Sequence, residues 1–232
     1  MPLRRWSDSA NNAIEGILFA AKNERHLRYH LYAAVLVLLL SYLLGIPRTE
    51  FLIISVFVIL VLLAEMVNTA IEYLVDMVSA EYSEKARIAK DVSAGAVLIT
   101  AFGAVIAGYI ILFPYLEAVF DSGVLIAKHP ANEIVLLSVV IVLITVVILK
   151  AGFSRGHPLR GGMPSGHSAL AFSLWLAMTF ITGMFVVSVI GLVMAALIAQ
   201  SRVAVNVHTH TEVIIGALLG IGITLGLFLV FR

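Results

Sequence analysis

The uncharged run Ser168-ALAFSLWLAMTFITGMFVVSVIGLVMAALIA-Gln200 decides the fold. As a single helix its 33 residues would be about 50 Å long, too long for a hydrocarbon core of about 30 Å without strong tilt. Two short helices turning near Thr182-Gly183 fit better, since glycine after a helical run is a stop signal. The choice also sets parity. With two helices, the polar segments Ser165-Gly166-His167 and Arg202 to Glu212 leave the membrane on one side; with one helix they part.

The rest of the chain has the same character. It has 232 residues, of which 61% are hydrophobic and 12% charged, with 9% aromatic, and its mean hydropathy is +1.06. A soluble domain is nearer half apolar and a quarter charged, so a soluble enzyme, a disordered chain and a nucleic-acid binder are excluded. The net charge of +1 gives no field for a polyanionic partner, and the absence of cysteine removes disulfides, thiol catalysis and Cys-ligated zinc. The expected fold is an all-α integral membrane protein: an N-terminal amphipathic surface helix and about seven transmembrane helices. Residues 1–29 read as that surface helix rather than a signal peptide, with Ser7 or Asp8 as N-cap and apolar residues at helical spacing. Spans follow near 30–46, 51–77, 92–113, 133–149, 167–183, 184–200 and 213–231, with a linker over 114–132 marked by Pro114, Asp121, Gly123 and Pro130. The expected domains are 1–113, the linker, and 133–232. With the N-terminus inside, every one of the 15 Lys and Arg except Arg48, Lys128 and Arg232 falls on the inner side, as the positive-inside rule requires.

Two polar constellations interrupt this apolar background. The first is Glu65-x-x-Asn68-x-x-x-Glu72-x-x-x-Asp76 in the second span. These offsets keep all four within about 80° of one helix face. A carboxylate inside a span costs about 2.5–3.5 kcal/mol on insertion scales, so three on one stripe must face protein, water or cations. They form either a polar seam between helices or a site for a hard divalent cation such as Mg²⁺, which takes one or two carboxylates plus substrate phosphates. Lys90-Asp91 follows closely enough to return to the same helix end.

Together with Glu24 and the segment Lys90-Asp91-x-x-Ala94-Gly95-Ala96, this pattern resembles the small prokaryotic diacylglycerol kinase/undecaprenol kinase family over about residues 4–113. The family has no Walker-type loop, and none is present. The resemblance implies a homotrimer at a prokaryotic cytoplasmic (inner) membrane, where the charge bias puts the N-terminus in the cytoplasm. It implies Mg²⁺ as cofactor, with ATP and a membrane lipid alcohol as substrates. By position, Glu24 and Glu72 bind Mg²⁺ and Glu65 is the general base for the lipid hydroxyl. Asn68, Lys90 and Asp91 hold the nucleotide phosphates, and Arg5 and Asp76 are carried over beside them.

The second constellation joins Lys150-x6-His157-Pro158, Pro164-Ser165-Gly166-His167 and Ser201-Arg202-x5-His208-x3-Glu212. Loop amides and cationic side chains can cradle a phosphate, and histidine serves as nucleophile or acid near neutral pH. Zinc at His208 and His210 is a rival reading, but the spacing is two and no Glu-bearing helical zinc motif accompanies it. The set resembles the type 2 phosphatidic acid phosphatase/vanadium haloperoxidase superfamily over about 133–231, with His157 where the family has arginine and Glu212 where it has aspartate. The resemblance makes His208 the nucleophile and His167 the acid for the leaving alcohol, and has Glu212 orient His208. Lys150, Ser165, Gly166 and Arg202 bind the phosphate, with Arg155 or Arg160 supplying the charge absent at His157. The function expected is a bifunctional lipid kinase and lipid phosphate phosphatase. The alternative is a kinase carrying a degenerate phosphatase-like half; a transporter fits less well, because no inverted repeat is found.

Overall fold

The described residues form eight α-helices and no strand. The helices are α1 (Pro2–Asn23), α2 (Arg25–Leu43), α3 (Arg48–Val78), α4 (Glu84–Ser122), α5 (Ala131–Phe153), α6 (Gly166–Thr182), α7 (Phe185–Ala204) and α8 (His210–Phe231). The structure, a computed structural model, describes the backbone of residues 2–79, 83–122, 127–153 and 162–232, and the side chains of 9–79, 83–119, 127–152 and 162–232. By length and composition α2, α3, α4, α5, α7 and α8 can each cross a membrane, and α6 is a shorter apolar helix. The protein is an all-α integral membrane protein.

The run 168–200 is two helices, as its length demands. α6 stops at Gly183, whose φ of 60° is left-handed and whose N–H bonds the Thr179 carbonyl. That conformation suits glycine because it has no Cβ. The hairpin is closed from both sides: Trp175 Nε1 donates to the Ser188 carbonyl at 2.8 Å, and the hydroxyls of Thr179 and Ser188 meet at 2.8 Å.

Two compact units emerge. One is Glu24–Ala127, holding α2, α3 and α4; the other is Met1–Asn23 with Lys128–Arg232, holding α1 and α5 to α8. In the first unit α3 packs on both α2 and α4. Ile46, Ile54 and Leu112 make a buried apolar cluster, with Tyr115 packed on it.

Here the structure departs from the sequence-based boundaries. The segment from 114, expected to be a linker, stays helical to Ser122, with Pro114 inside α4. Proline removes one backbone donor and strains the preceding turn, yet the following turn is anchored: Tyr115 Oη donates to Glu50 Oε2 on α3 at 2.9 Å. At the other end, α1 reaches back to Pro2, so Ser7 and Asp8 are not its cap, and the break falls at Glu24 rather than after residue 29. Glu24 therefore stands at the N-cap of α2, not on the surface helix.

In the second unit α6 touches α5, α7 and α8. Its buried residues Ala169, Ser173 and Ala177 recur every fourth position, and α8 answers with Gly216, Gly220 and Thr224. A Cβ at Gly216 would run into the Ser165 carbonyl oxygen, and one at Gly220 into that of Ala169. Small residues at this spacing let two backbones approach, the usual basis of helix pairing in lipid. Further along, Ser173 and Thr224, both fully buried, share a hydrogen bond of 2.7 Å.

Gly220→Ala forces these helices apart and should lower the melting temperature in detergent by about 2–10 °C, since overpacking costs about 1–3 kcal/mol. Gly222→Ala should leave it unchanged or raise it, because nothing lies within 4 Å of a Cβ there. Equal melting temperatures for the two variants would contradict the packing.

Candidate active sites

In the first unit, the stripe on α3 forms a continuous polar seam. Glu65 is 4% exposed and its Oε1 lies 3.0 Å from His30 Nε2 on α2. The charges of His26, Glu24 and Glu72 also reach it. Asn68 Nδ2 donates to Glu72 Oε1 at 2.9 Å. Across the seam, Ser93 Oγ on α4 lies 2.6 Å from Asn68 Oδ1 and 2.9 Å from the Lys90 carbonyl. Lys90 pairs with Asp76, tying the start of α4 to the end of α3. Asp91 instead pairs with Arg87 at 2.7 Å, and both are exposed.

Glu65, Asn68, Glu72, Asp76 and Lys90 are thus brought together, while Asp91 faces a surface ion pair. Among the described residues no group of three His, Cys, Asp or Glu could hold a metal ion. Glu24 and Glu72 each lie within electrostatic reach of Glu65, and two carboxylates are what an open Mg²⁺ site takes when substrate phosphates complete it. His30 and Ser93 were missed from the sequence. A lone histidine or serine on an apolar helix carries no signal until its partner on another helix is known.

The second unit gathers its set at one end of the helices. Lys150, in the last turn of α5, is buried. Ser165 stands at the N-cap position of α6, with Gly166 and His167 opening that helix. Arg202 lies in the last turn of α7, and its carbonyl accepts the N–H of His208 at 3.1 Å. His208 Nδ1 lies 2.8 Å from Glu212 Oε2. Against a carboxylate Nδ1 is the donor, which leaves the imidazole lone pair on Nε2. The backbone N–H of Ser165 donates to the Glu212 carbonyl at 3.0 Å, so the two motifs on either side of the α6–α7 hairpin share one end of the unit. His167 lies within electrostatic reach of Arg202, His208 and Lys150.

Burial pushes the His208 imidazole below its ordinary value. The hydrogen bond and charge of Glu212 oppose that shift, while Lys150 and Arg202 add to it. Ser165 is fully buried, its hydroxyl accepting from Ser168 Oγ at 3.1 Å. Arg155, His157 and Arg160 lie outside the described residues.

Residues 11–112 match the prokaryotic diacylglycerol kinase family, and residues 100–232 match the PAP2 superfamily. The chain belongs to both families. The kinase-family part is similar to a diacylglycerol kinase of Synechocystis sp., 36% identical over 122 residues, which are 49% of this chain and 70% of the relative. It is also similar to an undecaprenol kinase of Bacillus subtilis, 35% identical over 114 residues, 49% of this chain and 93% of the relative. A diacylglycerol kinase of Escherichia coli is 32% identical over 107 residues, 46% of this chain and 88% of the relative. No solved structure matches the chain. The kinase-family match ends within α4, and the PAP2 match spans the rest of α4 and all of α5 to α8. The protein is therefore a fusion of a lipid kinase with a PAP2-type domain.

The His30–Glu65 pair is open to a stability test. His30→Ala strands a buried carboxylate and should cost about 1–3 kcal/mol, read as a lower melting temperature. Adding Glu65→Gln should recover part of that loss, because a neutral amide is cheaper to bury. Additive losses in the double variant would show that the two side chains do not interact.

Proposed function

We propose that this chain carries out two phosphoryl transfers at a prokaryotic cytoplasmic membrane: ATP-dependent phosphorylation of a lipid alcohol and dephosphorylation of a lipid phosphate. The observation that carries the second activity is the gathering of Lys150, the Ser165-Gly166-His167 turn, Arg202 and the His208–Glu212 pair at one end of a helical unit. For the first it is the seam Glu65-Asn68-Glu72 with Ser93, Lys90 and Asp76.

In the kinase reaction the lipid hydroxyl oxygen attacks the γ-phosphorus of ATP and the bond to the β–γ bridging oxygen breaks. The hydroxyl proton passes to the Glu65 carboxylate, and ADP leaves. Glu24 and Glu72 would hold a Mg²⁺ that screens phosphate charge when bound. Asn68 and Lys90 position the nucleotide phosphates. Lys90 exchanges Asp76 for phosphate as it does so, and Asp91 leaves Arg87 to take part.

In the phosphatase reaction Nε2 of neutral His208 attacks the phosphorus of a lipid phosphate. The P–O bond to the lipid breaks, and His167 protonates the departing alkoxide. Water then gives a proton to His167 and cleaves the P–N bond, releasing inorganic phosphate, freeing His208 and restoring the acid. Lys150 and Arg202 stabilise the phosphoryl charge in both steps, with Arg155 as a further cation.

The excess of Lys and Arg on one set of segments supports a cytoplasmic N-terminus and both sites facing ATP. The kinase-family resemblance implies a homo-oligomer, a trimer. A kinase and a phosphatase acting freely on one lipid would only hydrolyse ATP, so the two halves act on different lipids or one is held in check.

With Mg-ATP, a panel of lipid alcohols and a panel of lipid phosphates, Glu72→Ala should abolish phosphorylation and spare phosphate release. His208→Ala should do the reverse. Near-normal turnover by either variant in its own reaction would refute that site. The acid limb of phosphate release supplies a second check. The attacking imidazole must be neutral and its pKa is depressed. Activity should therefore persist below pH about 6.5, the ordinary imidazole value, and fall only as pH drops through the lowered value. A loss of activity centred above that pH would contradict the assignment.

A further inference from the structure

Glu212 does more than face a histidine. Its Oε2 accepts from the Thr209 N–H at 3.2 Å as well as meeting His208 Nδ1 at 2.8 Å. Its Oε1 accepts the Gly162 N–H at 3.1 Å. Its backbone carbonyl accepts the Ser165 N–H at 3.0 Å, and its own N–H donates to Thr209 Oγ1 at 3.3 Å. Gly162 and Ser165 bracket the turn Gly162-Met163-Pro164-Ser165, which leads directly into His167. One residue therefore grips both the imidazole of His208 and the two ends of the turn that carries the other histidine.

The length of the side chain matters to this grip. Thr209 and Glu212 form a capping box at the start of α8, a motif in which the third helical residue is Glu or Gln because its side chain must reach back to the cap. An aspartate is one methylene, about 1.5 Å, shorter. It cannot keep one oxygen on His208 and Thr209 while the other holds Gly162.

We infer that Glu212 is a positioning residue that sets the spacing of His167 and His208, and that it needs the length of glutamate rather than the aspartate of the superfamily pattern. The inference rests on reading this cluster as a phosphatase centre. His208→Ala tests that reading alone: if phosphate release survives it, the centre itself is misassigned.

If His208→Ala is inactive, Glu212→Asp tests the inference. It should lower kcat for phosphate release by about 100-fold, the scale of a misplacement near 1 Å, with KM changed no more than a few-fold. The groups facing His208 are Lys150 on α5, His167 on α6, Arg202 on α7 and Glu212 on α8. Glu212 is the anionic member of that set, so drawing its carboxylate back should move the acid limb to lower pH. A residue acting on the fold alone would scale the profile without moving it. Glu212→Gln keeps the length and the cap and provides the same pH profile if the aspartate variant does not fold. It too should lose kcat and shift the limb downward. Wild-type kcat in Glu212→Asp, or an unmoved acid limb in both variants, would overturn the inference.

Discussion

A charge in hydrocarbon must be paired, and this requirement organises most of the polar architecture of the chain. An unpaired buried carboxylate is costly, and the cost falls only when an opposite charge or hydrogen-bond donor is supplied. Each acid on the α3 stripe has a partner on hand: Glu65 has His30, Glu72 has Asn68, and Asp76 has Lys90. Glu212 has His208, Thr209 and Gly162. His30 and Lys90 come from other helices, and Asn68, on α3 itself, reaches α4 through Ser93, so pairing the acids also fixes how α2, α3 and α4 meet in one unit and how the α7–α8 loop meets the lead-in to α6 in the other. The same pairing poises the groups for chemistry. Lys90 and Asn68 are held close to the carboxylates by partners that a phosphate could displace.

Polar pairing alone would not hold helices together in lipid, where apolar surface gains nothing from leaving the solvent. Close backbone approach does that work in the PAP2-type unit. Gly216 and Gly220 bring α8 against the backbone of α6 at Ser165 and Ala169. The Val142, Val146 and Ala169 cluster fills the contact with α5. Fold and site are consequently inseparable at this end. The residue that Gly216 accommodates, Ser165, also stands at the N-cap position of the helix that carries His167.

The spans, the α6–α7 hairpin and both polar constellations were legible in the sequence because they depend on local features: apolar length, a glycine after a helical run, and carboxylates repeating on one helix face. What escaped was set by tertiary contacts. Pro114 reads as a breaker, yet α4 continues past it, with Tyr115 bonded to Glu50 on α3. Glu24 reads as part of a long surface helix, yet the helix breaks there. His30 and Ser93 gain meaning only from Glu65 and Asn68 across the helix interfaces. Two signals were present and unread: the four-residue spacing of Gly216 and Gly220, and the Thr209-x-x-Glu212 capping box. The capping box also gives glutamate, where the superfamily has aspartate, a structural reason.

In the proposed function the two halves share a chemistry, phosphoryl transfer to or from a lipid oxygen, but not a catalytic strategy. The kinase seam, with its carboxylates and a lysine, is proposed to pass the phosphoryl group directly. The histidine cluster is proposed to pass it through a P–N bond. That covalent step at His208 is the central claim. The decisive measurement is rapid quenching of the purified protein with a lipid phosphate labelled at phosphorus, followed by recovery of the label on protein. The expected result is a label that is stable in base, lost in acid, and absent from His208→Ala. No protein-bound label during active phosphate release, or a label that persists in His208→Ala, would contradict it.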